Sequence, residues 1–347
     1  MLLSSPDKEN IIRLLLSGQE ENITLGLQLA ESRKIDLTDF TEDINILTKA
    51  VRCSSFSFSQ KLLKIVQLED CNLSNPIPLS LLPYLVSMKK LGLVFNQLKT
   101  IPTEILNLIQ LTHLNLEKNQ LSKLPVEIGK LSNLKELNLR ENPLTSLPEE
   151  FGNLTQLKTL NLGKNQLSEL PPYIWKLRQL KTLELFQNQL LEVPDEIGSL
   201  AQLDTLRLES NKLTSLPPAV WTLTQLTFLG LTGNKLKALP PEIGNLKKLR
   251  TLYVDSIQLT SLPTELWNLT QLQILSLGRN KLDNLPAEIA KLTRLVDLDL
   301  QRNKISTLPE EISQLPILSK VNLCNNPISE SEKERIKMLL PHCKLYF

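Results

Sequence analysis

The chain has 347 residues, of which 41% are hydrophobic and only 4% aromatic, and 39 basic against 37 acidic side chains give a formal net charge of +2. A charge this balanced does not indicate a nucleic acid or an anionic membrane as the partner. No apolar run reaches the roughly 18 residues that span a bilayer. The N-terminus lacks a basic stretch followed by an apolar one, so no secretory signal is predicted.

Residues 1–60 are predicted to form a small helical cap. Ser5 and Pro6 are typical of a helix start, because proline is tolerated at the first helical position. Two more helices are expected over residues 20–32 and 39–51. Such a cap would cover the apolar end of a repeat array, which is otherwise open to water.

From Met88 onward the chain repeats every 23 residues, in the frame LxxLxLxxNxLxxLPxxIxxLxx. The period is clearest in residues 111–133 and 134–156. It is marked by one asparagine per unit, at Asn96, Asn119, Asn142, Asn165, Asn188, Asn211, Asn234, Asn280, Asn303 and Asn326. An irregular first unit begins near Leu63, which gives about twelve units over residues 61–327. A leucine-bearing period of 20–29 residues indicates a solenoid.

The frame predicts one short strand per unit, because its fourth and sixth positions are apolar and the fifth is polar. About twelve such strands would form one parallel sheet. The asparagine is expected to satisfy backbone groups at the turn that follows the strand. The proline of each unit favours an extended or 3₁₀ return. Residues 328–347 are predicted to form a C-terminal cap helix and tail, with Ser329 and Glu332 as a capping box.

This pattern, over roughly residues 63–326, resembles the leucine-rich repeat family. The units with LPxxIGxL are similar to those of Ras-linked and Scribble-type scaffolds and of many bacterial repeat proteins. The resemblance implies an α/β solenoid, the leucine-rich repeat horseshoe, whose concave parallel sheet binds proteins. It carries over no catalytic residue.

The candidate partner site lies on the outward side of the strands, at frame positions 3, 5, 7 and 8, which we call the sheet face. Neighbouring units there bring together three rings and an arginine, the ring cluster Phe186, Arg207, Phe228 and Tyr253. Asp255 and Ile274 adjoin it. Aromatic side chains and arginine are enriched at binding hot spots. In the alternative interpretation, the rings merely pack on adjacent strands.

Three departures from the frame are interpreted in two ways each. Ile257 replaces an asparagine, which predicts either a local relaxation of the turn or a kink. Val94 and Phe95 form an exposed apolar pair that meets either the N-terminal cap or a partner. The tryptophans lie 46 residues apart with glycine in the intervening units, which favours packing on the return side over a binding stripe. They are Trp175, Trp221 and Trp267.

No nucleophile and base, glycine-rich phosphate loop or metal-ligand spacing is recognisable, so no enzyme, cofactor or metal is predicted. The four cysteines are dispersed, which favours free thiols and a reducing, cytoplasmic location. The predicted function is a monomeric scaffold that binds a protein on the concave face, in signalling and with a small GTPase among the candidate partners. The alternative is an exported bacterial host-interaction, virulence or adhesion protein.

Overall fold

The structure, a computed structural model, describes residues 89–103 and 105–347. It also describes five isolated helical positions, Asn10, Leu14, Leu25, Gln28 and Leu29. Apart from these five, the predicted N-terminal cap lies outside the described residues, as does the irregular unit near Leu63. The chain divides into two compact units, Met1–Leu157 and Lys158–Phe347.

The described part of the first unit is a repeat array with three parallel strands. They are β1 (Lys90–Gly92), β2 (His113–Asn115) and β3 (Glu136–Asn138). Each residue pairs with the residue 23 positions later, as Leu91 does with Leu114. The strands alternate with 3₁₀ segments at Ile105–Asn107, Val126–Lys130 and Glu149–Asn153.

The second unit continues the pattern with nine parallel strands in chain order. They are β4 (Thr159–Asn161), β5 (Thr182–Glu184), β6 (Thr205–Arg207), β7 (Phe228–Gly230), β8 (Thr251–Tyr253), β9 (Ile274–Ser276), β10 (Asp297–Asp299), β11 (Lys320–Asn322) and β12 (Lys344–Tyr346). The 3₁₀ segments are Pro172–Lys176, Asp195–Ser199, Pro218–Thr222, Pro241–Asn245, Thr264–Asn268, Ala287–Lys291 and Glu310–Gln314. The predicted parallel sheet with a 3₁₀ return is thereby confirmed.

The leucines of the frame form the core of each unit. In the repeat that contains β5, the core is made by Leu180, Leu183, Leu185, Leu190 and Ile197, all fully buried. Proline begins the return, as Pro171 does with φ −70° and ψ 149° before the 3₁₀ segment. The proline ring fixes φ, and because proline has no backbone N–H, no hydrogen-bond acceptor is needed there. The segment ends after one turn, when the Leu177 N–H binds the Ile174 carbonyl.

The buried asparagines join successive turns, as predicted. Asn188 Nδ2 donates to the carbonyls of Leu162 at 2.8 Å and Leu185 at 3.0 Å. Its Oδ1 accepts the Leu167 N–H at 3.0 Å. One side chain thus satisfies backbone groups of two repeats, each of which would cost about 1–3 kcal/mol if it were left buried and unpaired.

Ile257 interrupts this ladder without interrupting the sheet. The side chain is fully buried, and β8 pairs in the regular register with both β7 and β9. The Leu236 N–H, in the place where Leu213 and Leu259 bind an asparagine oxygen, has no acceptor among the described residues. Gln258 takes up a left-handed φ of 63°. The register therefore agrees with a local relaxation of the turn, not a kink.

The three tryptophans are core residues. Their side chains lie on the return side and are at most 6% exposed. In the intervening units the glycine lets the next repeat approach: a Cβ on Gly198 would lie 3.2 Å from Ala219 Cβ. A large ring and an absent side chain therefore alternate along the return side, and the packing interpretation agrees with this burial.

A helix and a strand close the C-terminal end. Helix α1 (Glu330–Leu339) is capped by Ser329, whose hydroxyl accepts the Glu332 N–H at 3.2 Å. The reciprocal half of the predicted capping box is absent, because Glu332 turns to the repeat of residues 295–317 and accepts from Thr307 Oγ1 at 2.8 Å. Strand β12, which pairs with β11, was not predicted. The proposed division at residues 60 and 327 stays a prediction.

Candidate binding surface

The ring cluster lies on four neighbouring strands of the second unit. Phe186 follows β5, Arg207 ends β6, Phe228 begins β7 and Tyr253 ends β8. The parallel register brings them together, because Arg207 and Tyr253 both pair with Gly230, which lies two residues after Phe228. All four side chains point away from the leucine core because they occupy the outward positions of the frame.

The four side chains form a continuous stack. The Arg207 guanidinium carbon lies 4.7 Å from the ring centroid of Phe186 and 5.6 Å from that of Phe228. Phe228 in turn meets Tyr253 edge to face, with centroids 5.5 Å apart and planes at 62°. All three contacts lie in the range of favourable cation–π and aromatic pairs. Arginine is therefore held between two rings.

Two glycines of the sheet face make room for this stack. A Cβ on Gly163 would overlap the Phe186 ring, with Cδ1 only 2.7 Å away. A Cβ on Gly230 would overlap the carboxylate of Glu209. Any larger residue at either position would displace the side chain that rests there, so the arrangement of the cluster depends on both glycines.

The rings are half-buried rather than fully open. The sequence-based prediction of ring exposure is therefore only partly met, because each ring covers part of its neighbour. Each interpretation of the sequence is partly right. The rings pack on side chains of adjacent strands, and together with Arg207 they present an aromatic and cationic surface. Hot-spot residues are commonly packed in this way by their neighbours.

Arg207 is fixed at one edge and open at the other. Its Nε donates to Glu209 Oε1 at 3.0 Å. The side chain is 36% exposed, whereas that of Glu209 is 13% exposed. The two terminal amino groups of Arg207 have no hydrogen-bond partner in the part of the chain that the structure describes. Glu209 Oε2 is buried and also lacks a partner among these residues.

Asp255 and Ile274 adjoin the cluster in different ways. Asp255 accepts three hydrogen bonds: Oδ1 accepts from Ser276 Oγ at 2.6 Å and the Gly278 N–H at 2.8 Å, and Oδ2 accepts from Thr232 Oγ1 at 3.0 Å. Ile274 opens β9 and is half-buried. Asp255 therefore mainly organises the strand ends, while Ile274 extends the apolar surface.

A neighbouring carboxyl group is affected by this crowding. Burial raises the pKa of Asp299 above its usual value, and the charge of Asp255 raises it further. Hydrogen bonds from the N–H and side-chain amide of Gln301, at 2.9 and 3.1 Å, hold the carboxylate in place. The sheet face around Asp255 and Asp299 is thus acidic, and neighbouring residues of the same face donate hydrogen bonds to both carboxylates.

The first unit has an exposed ring of its own. Phe95 is 55% exposed and the Lys118 ammonium lies 4.8 Å from its centroid. The predicted contact with the N-terminal cap lies outside the described residues. Sequence reasoning placed Phe95 on the surface but did not foresee its lysine, which comes from the next repeat.

Sequence reasoning also missed a Thr–His–Glu line in the first unit. Thr112 Oγ1 lies 2.8 Å from His113 Nδ1, and His113 Nε2 lies 3.3 Å from Glu136 Oε1. The Thr112 hydroxyl donates its hydrogen to the Lys89 carbonyl at 2.9 Å. The His113 tautomer decides whether Nδ1 donates to this hydroxyl or accepts from it, so the contact alone assigns no chemical role to the line.

An open polar groove of about 420 Å³ lies beside this line. Its walls are amide, hydroxyl and lysine side chains with no ring, from Lys89, Gln110, Thr112, Ser132, Asn133, Lys135, Thr155 and Gln156. Within residues 89–103 and 105–347, no group of three or more histidine, cysteine or acidic side chains could hold a metal ion. No helix among the described residues is long and apolar enough to cross a membrane.

Two family descriptions match the sequence. "Leucine-rich repeat region" matches residues 126–190 and 173–253. "Leucine rich repeat" matches residues 86–144, 247–305 and 270–328. Together the matched ranges extend over residues 86–328, which is more than half of the chain. No curated protein sequence matches it.

Solved structures with this architecture are similar to the chain. An internalin (inlF) of Listeria monocytogenes is 26% identical, with a TM-score of 0.73, and the match covers 88% of this chain and 87% of that one. The plant peptide hormone receptor RGFR1, solved in complex with RGF2, is 33% identical with a TM-score of 0.61. The match covers 72% of this chain and 41% of the receptor.

A third similar structure is the ectodomain of the receptor kinase GASSHO1/SCHENGEN3 of Arabidopsis thaliana, in complex with CASPARIAN STRIP INTEGRITY FACTOR 2. It is 29% identical with a TM-score of 0.63. The match covers 81% of this chain and 37% of that one. This chain therefore spans about two-fifths of the length of the plant receptors.

Proposed function

The chain belongs to the leucine-rich repeat family, and from this we propose that it is a non-enzymatic module that binds another protein on the sheet face, at the ring cluster. The repeat fold of this family suggests protein–protein interaction. The observation that carries the choice of surface is the stack of Phe186, Arg207, Phe228 and Tyr253 across β5 to β8. The stack occupies the second to the fifth of the second unit's nine strands, so strands of the same sheet lie on both sides of it, which suits a hot spot surrounded by polar contacts.

The composition of the surrounding face supports this choice. Polar and charged side chains surround the cluster, as they surround the buried centre of many interfaces. Rigid aromatic side chains lose little conformational entropy on binding, and here the stack already restricts them. Asp255 and Ile274 complete the proposed site, Asp255 by holding the strand ends in place through its three hydrogen bonds and Ile274 as an apolar neighbour.

The plant structures give a second line of support. The receptors RGFR1 and GASSHO1/SCHENGEN3 are solved in complex with RGF2 and CASPARIAN STRIP INTEGRITY FACTOR 2, respectively. Similar repeat arrays therefore bind proteinaceous ligands. For this chain the identity of the partner and a role in signalling, including one with a small GTPase, are part of the proposal.

The test is affinity capture from the native lysate with the full chain as bait, followed by mass spectrometry. The Phe228→Ala/Tyr253→Ala double variant should bind the captured partner about a hundredfold or more weakly, because two hot-spot rings contribute roughly 2 kcal/mol or more each. A matched control is Val126→Ala, which removes an exposed apolar side chain from a 3₁₀ segment of the first unit.

The melting temperature of the double variant decides whether loss of capture reflects binding or folding. We expect a small decrease, because the rings are half-buried and lie outside the leucine core. Full capture by the double variant, with the bait folded, would contradict the proposed surface.

A second candidate function, an exported bacterial protein that acts on a host, is favoured by the likeness to the Listeria internalin. The cytoplasmic location proposed from the dispersed cysteines is incompatible with it. Cell fractionation combined with protease shaving of intact cells separates the two. Protection of the chain from the protease supports the cytoplasmic scaffold, and digestion supports the exported protein.

A further inference from the structure

We propose that Arg207 is a specificity determinant that binds a side-chain carboxylate of the partner, an Asp or Glu in the segment that docks on the ring cluster. This inference rests on the proposed function. It adds the chemistry of the partner: the docking segment is acidic, and its carboxylate meets the terminal amino groups of Arg207.

The first support is that the guanidinium is already oriented. Phe186 and Phe228, from the strands on either side of β6, have ring centroids 4.7 and 5.6 Å from the guanidinium carbon. Glu209 fixes the Nε edge at 3.0 Å. The planar group therefore needs little further ordering, and such preorganisation reduces the entropy cost of binding.

The second support is the match of donors and acceptors around the cluster. Asp255 accepts three hydrogen bonds, and Glu184 Oε2 accepts one from Asn161 Nδ2 at 2.6 Å. Glu209 Oε2 is buried, so a partner cannot reach it. The terminal amino groups of Arg207 are, by contrast, donors without an acceptor among the described residues, on a side chain that is 36% exposed.

The geometry of the group favours a carboxylate. The two terminal amino groups of an arginine form a fork that matches two carboxylate oxygens. A phosphate also fits such a fork, but it carries nearly twice the charge. Glu184 and Glu209 flank Arg207, and their repulsion acts more strongly on the phosphate. The surroundings thus select a singly charged acid.

The experiment uses a phage-displayed library of random short peptides, panned on the full chain. Phage that also bind the Phe186→Ala/Phe228→Ala variant are removed, so that the remaining peptides occupy the ring cluster. Selected peptides are then synthesised in their native form and with each acidic residue changed to its amide or to phosphoserine. Their affinities are measured for the wild type, for Arg207→Lys and for the control Arg178→Lys, an exposed arginine that precedes β5.

We expect one Asp or Glu in these peptides whose amide form binds the wild type about tenfold or more weakly, as for the loss of a charged hydrogen-bond pair. The same change should cost less than about threefold on Arg207→Lys, because the lysine cannot form the fork. Arg178→Lys should behave as the wild type does.

Three results would overturn the inference while leaving the proposed surface standing: peptides that need no acid, an equal loss on wild type and Arg207→Lys, or phosphoserine peptides that bind about tenfold more tightly. If no peptide depends on the two rings, the proposed surface fails together with the inference. Circular dichroism of each variant establishes that it is folded.

Discussion

The ring of Phe186 rests on Gly163, the residue 23 positions earlier in the neighbouring repeat. A Cβ on Gly163 would overlap the ring, with Cδ1 2.7 Å away. The same ring packs against the Arg207 guanidinium. A glycine two strands away from Arg207 therefore fixes the aromatic ring on the strand between them, and through this ring the arginine.

Gly163→Ala should displace the Phe186 ring and loosen its contact with Arg207. We expect a loss of partner binding close to that of Phe186→Ala, with a cost in stability of about 1–2 kcal/mol, because overpacking is relieved by rotating a half-buried side chain. Titration calorimetry with the captured partner or a selected peptide, together with urea unfolding, measures both.

The matched control is Gly198→Ala, on the return side of the next repeat. There the added Cβ would meet Ala219 Cβ at 3.2 Å, a tight contact far from any ring of the cluster. It should lower stability without affecting binding. Equal binding by Gly163→Ala and the wild type would show that the position of Phe186 does not matter for the partner.

Asn211→Ala should destabilise the second unit by about 2–4 kcal/mol, because buried backbone groups lose their partners. The amide donates to the carbonyls of Leu185 at 2.9 Å and Leu208 at 3.0 Å, and accepts the Leu190 N–H at 3.0 Å. Urea unfolding followed by circular dichroism gives the free energy. Lys212→Ala, at the exposed next position, should change it by less than about 0.5 kcal/mol, and equal effects would refute the ladder account.

The repeat architecture could be predicted from the sequence because its signals recur every 23 residues. Leucine positions, the asparagine turns and the proline returns each have a local cause, and each appears where the frame puts it. The six candidate residues were also placed on the outward face correctly, since strand alternation alone decides that. Whether they bind a partner stays a prediction.

The contacts between side chains were not predictable, because they join residues from different repeats. The seat of Phe186 on Gly163 depends on rotamers that the frame does not encode. The sequence predicted that the Glu332 side chain would accept the Ser329 N–H of the capping box. It accepts instead from Thr307 Oγ1 and the Leu308 N–H, which belong to the repeat of residues 295–317. The KLY strand at the C-terminus lies outside the period, so no leucine pattern marked it.

The tryptophans should be inaccessible to iodide. Trp175, Trp221 and Trp267 are 6%, 3% and 0% exposed, and iodide quenches only rings that it can reach. A Stern–Volmer plot of tryptophan fluorescence should be nearly flat for the folded chain and steep in denaturant. Strong quenching of the folded chain would revive the binding stripe on the return side.

The C-terminal cap should lose stability in acid through Glu332. The hydrogen bond from Arg335 chiefly, with further bonds from Thr307 and Leu308, lowers the pKa of Glu332 from 4.5 to about 2. Because the folded pKa lies below the unfolded one, the contribution is complete above about pH 4.5 and disappears as the pH falls towards 2. Glu332→Gln should therefore cost about 1–3 kcal/mol at pH 7 and little near pH 2.

The comparison for this prediction is Glu334→Gln on the same helix. Glu334 is 60% exposed and, among the described residues, pairs only with Lys337, at 2.7 Å, so the loss of its charge should have a small effect at any pH. Thermal unfolding across pH 2 to 7 reads out both variants. A pH profile of Glu332→Gln parallel to that of the wild type would be incompatible with a depressed pKa.

Site-specific photo-crosslinking tests the central claim, that the partner binds the sheet face at the ring cluster, most directly. The photoreactive amino acid benzoylphenylalanine would replace Thr251, which lies on β8 and pairs with Phe228 of β7. In a second variant it would replace Glu196, which is exposed on the return side. After irradiation in the native lysate, we predict a covalent adduct with the captured partner from position 251 and none from position 196. An adduct from position 196 alone would contradict the account.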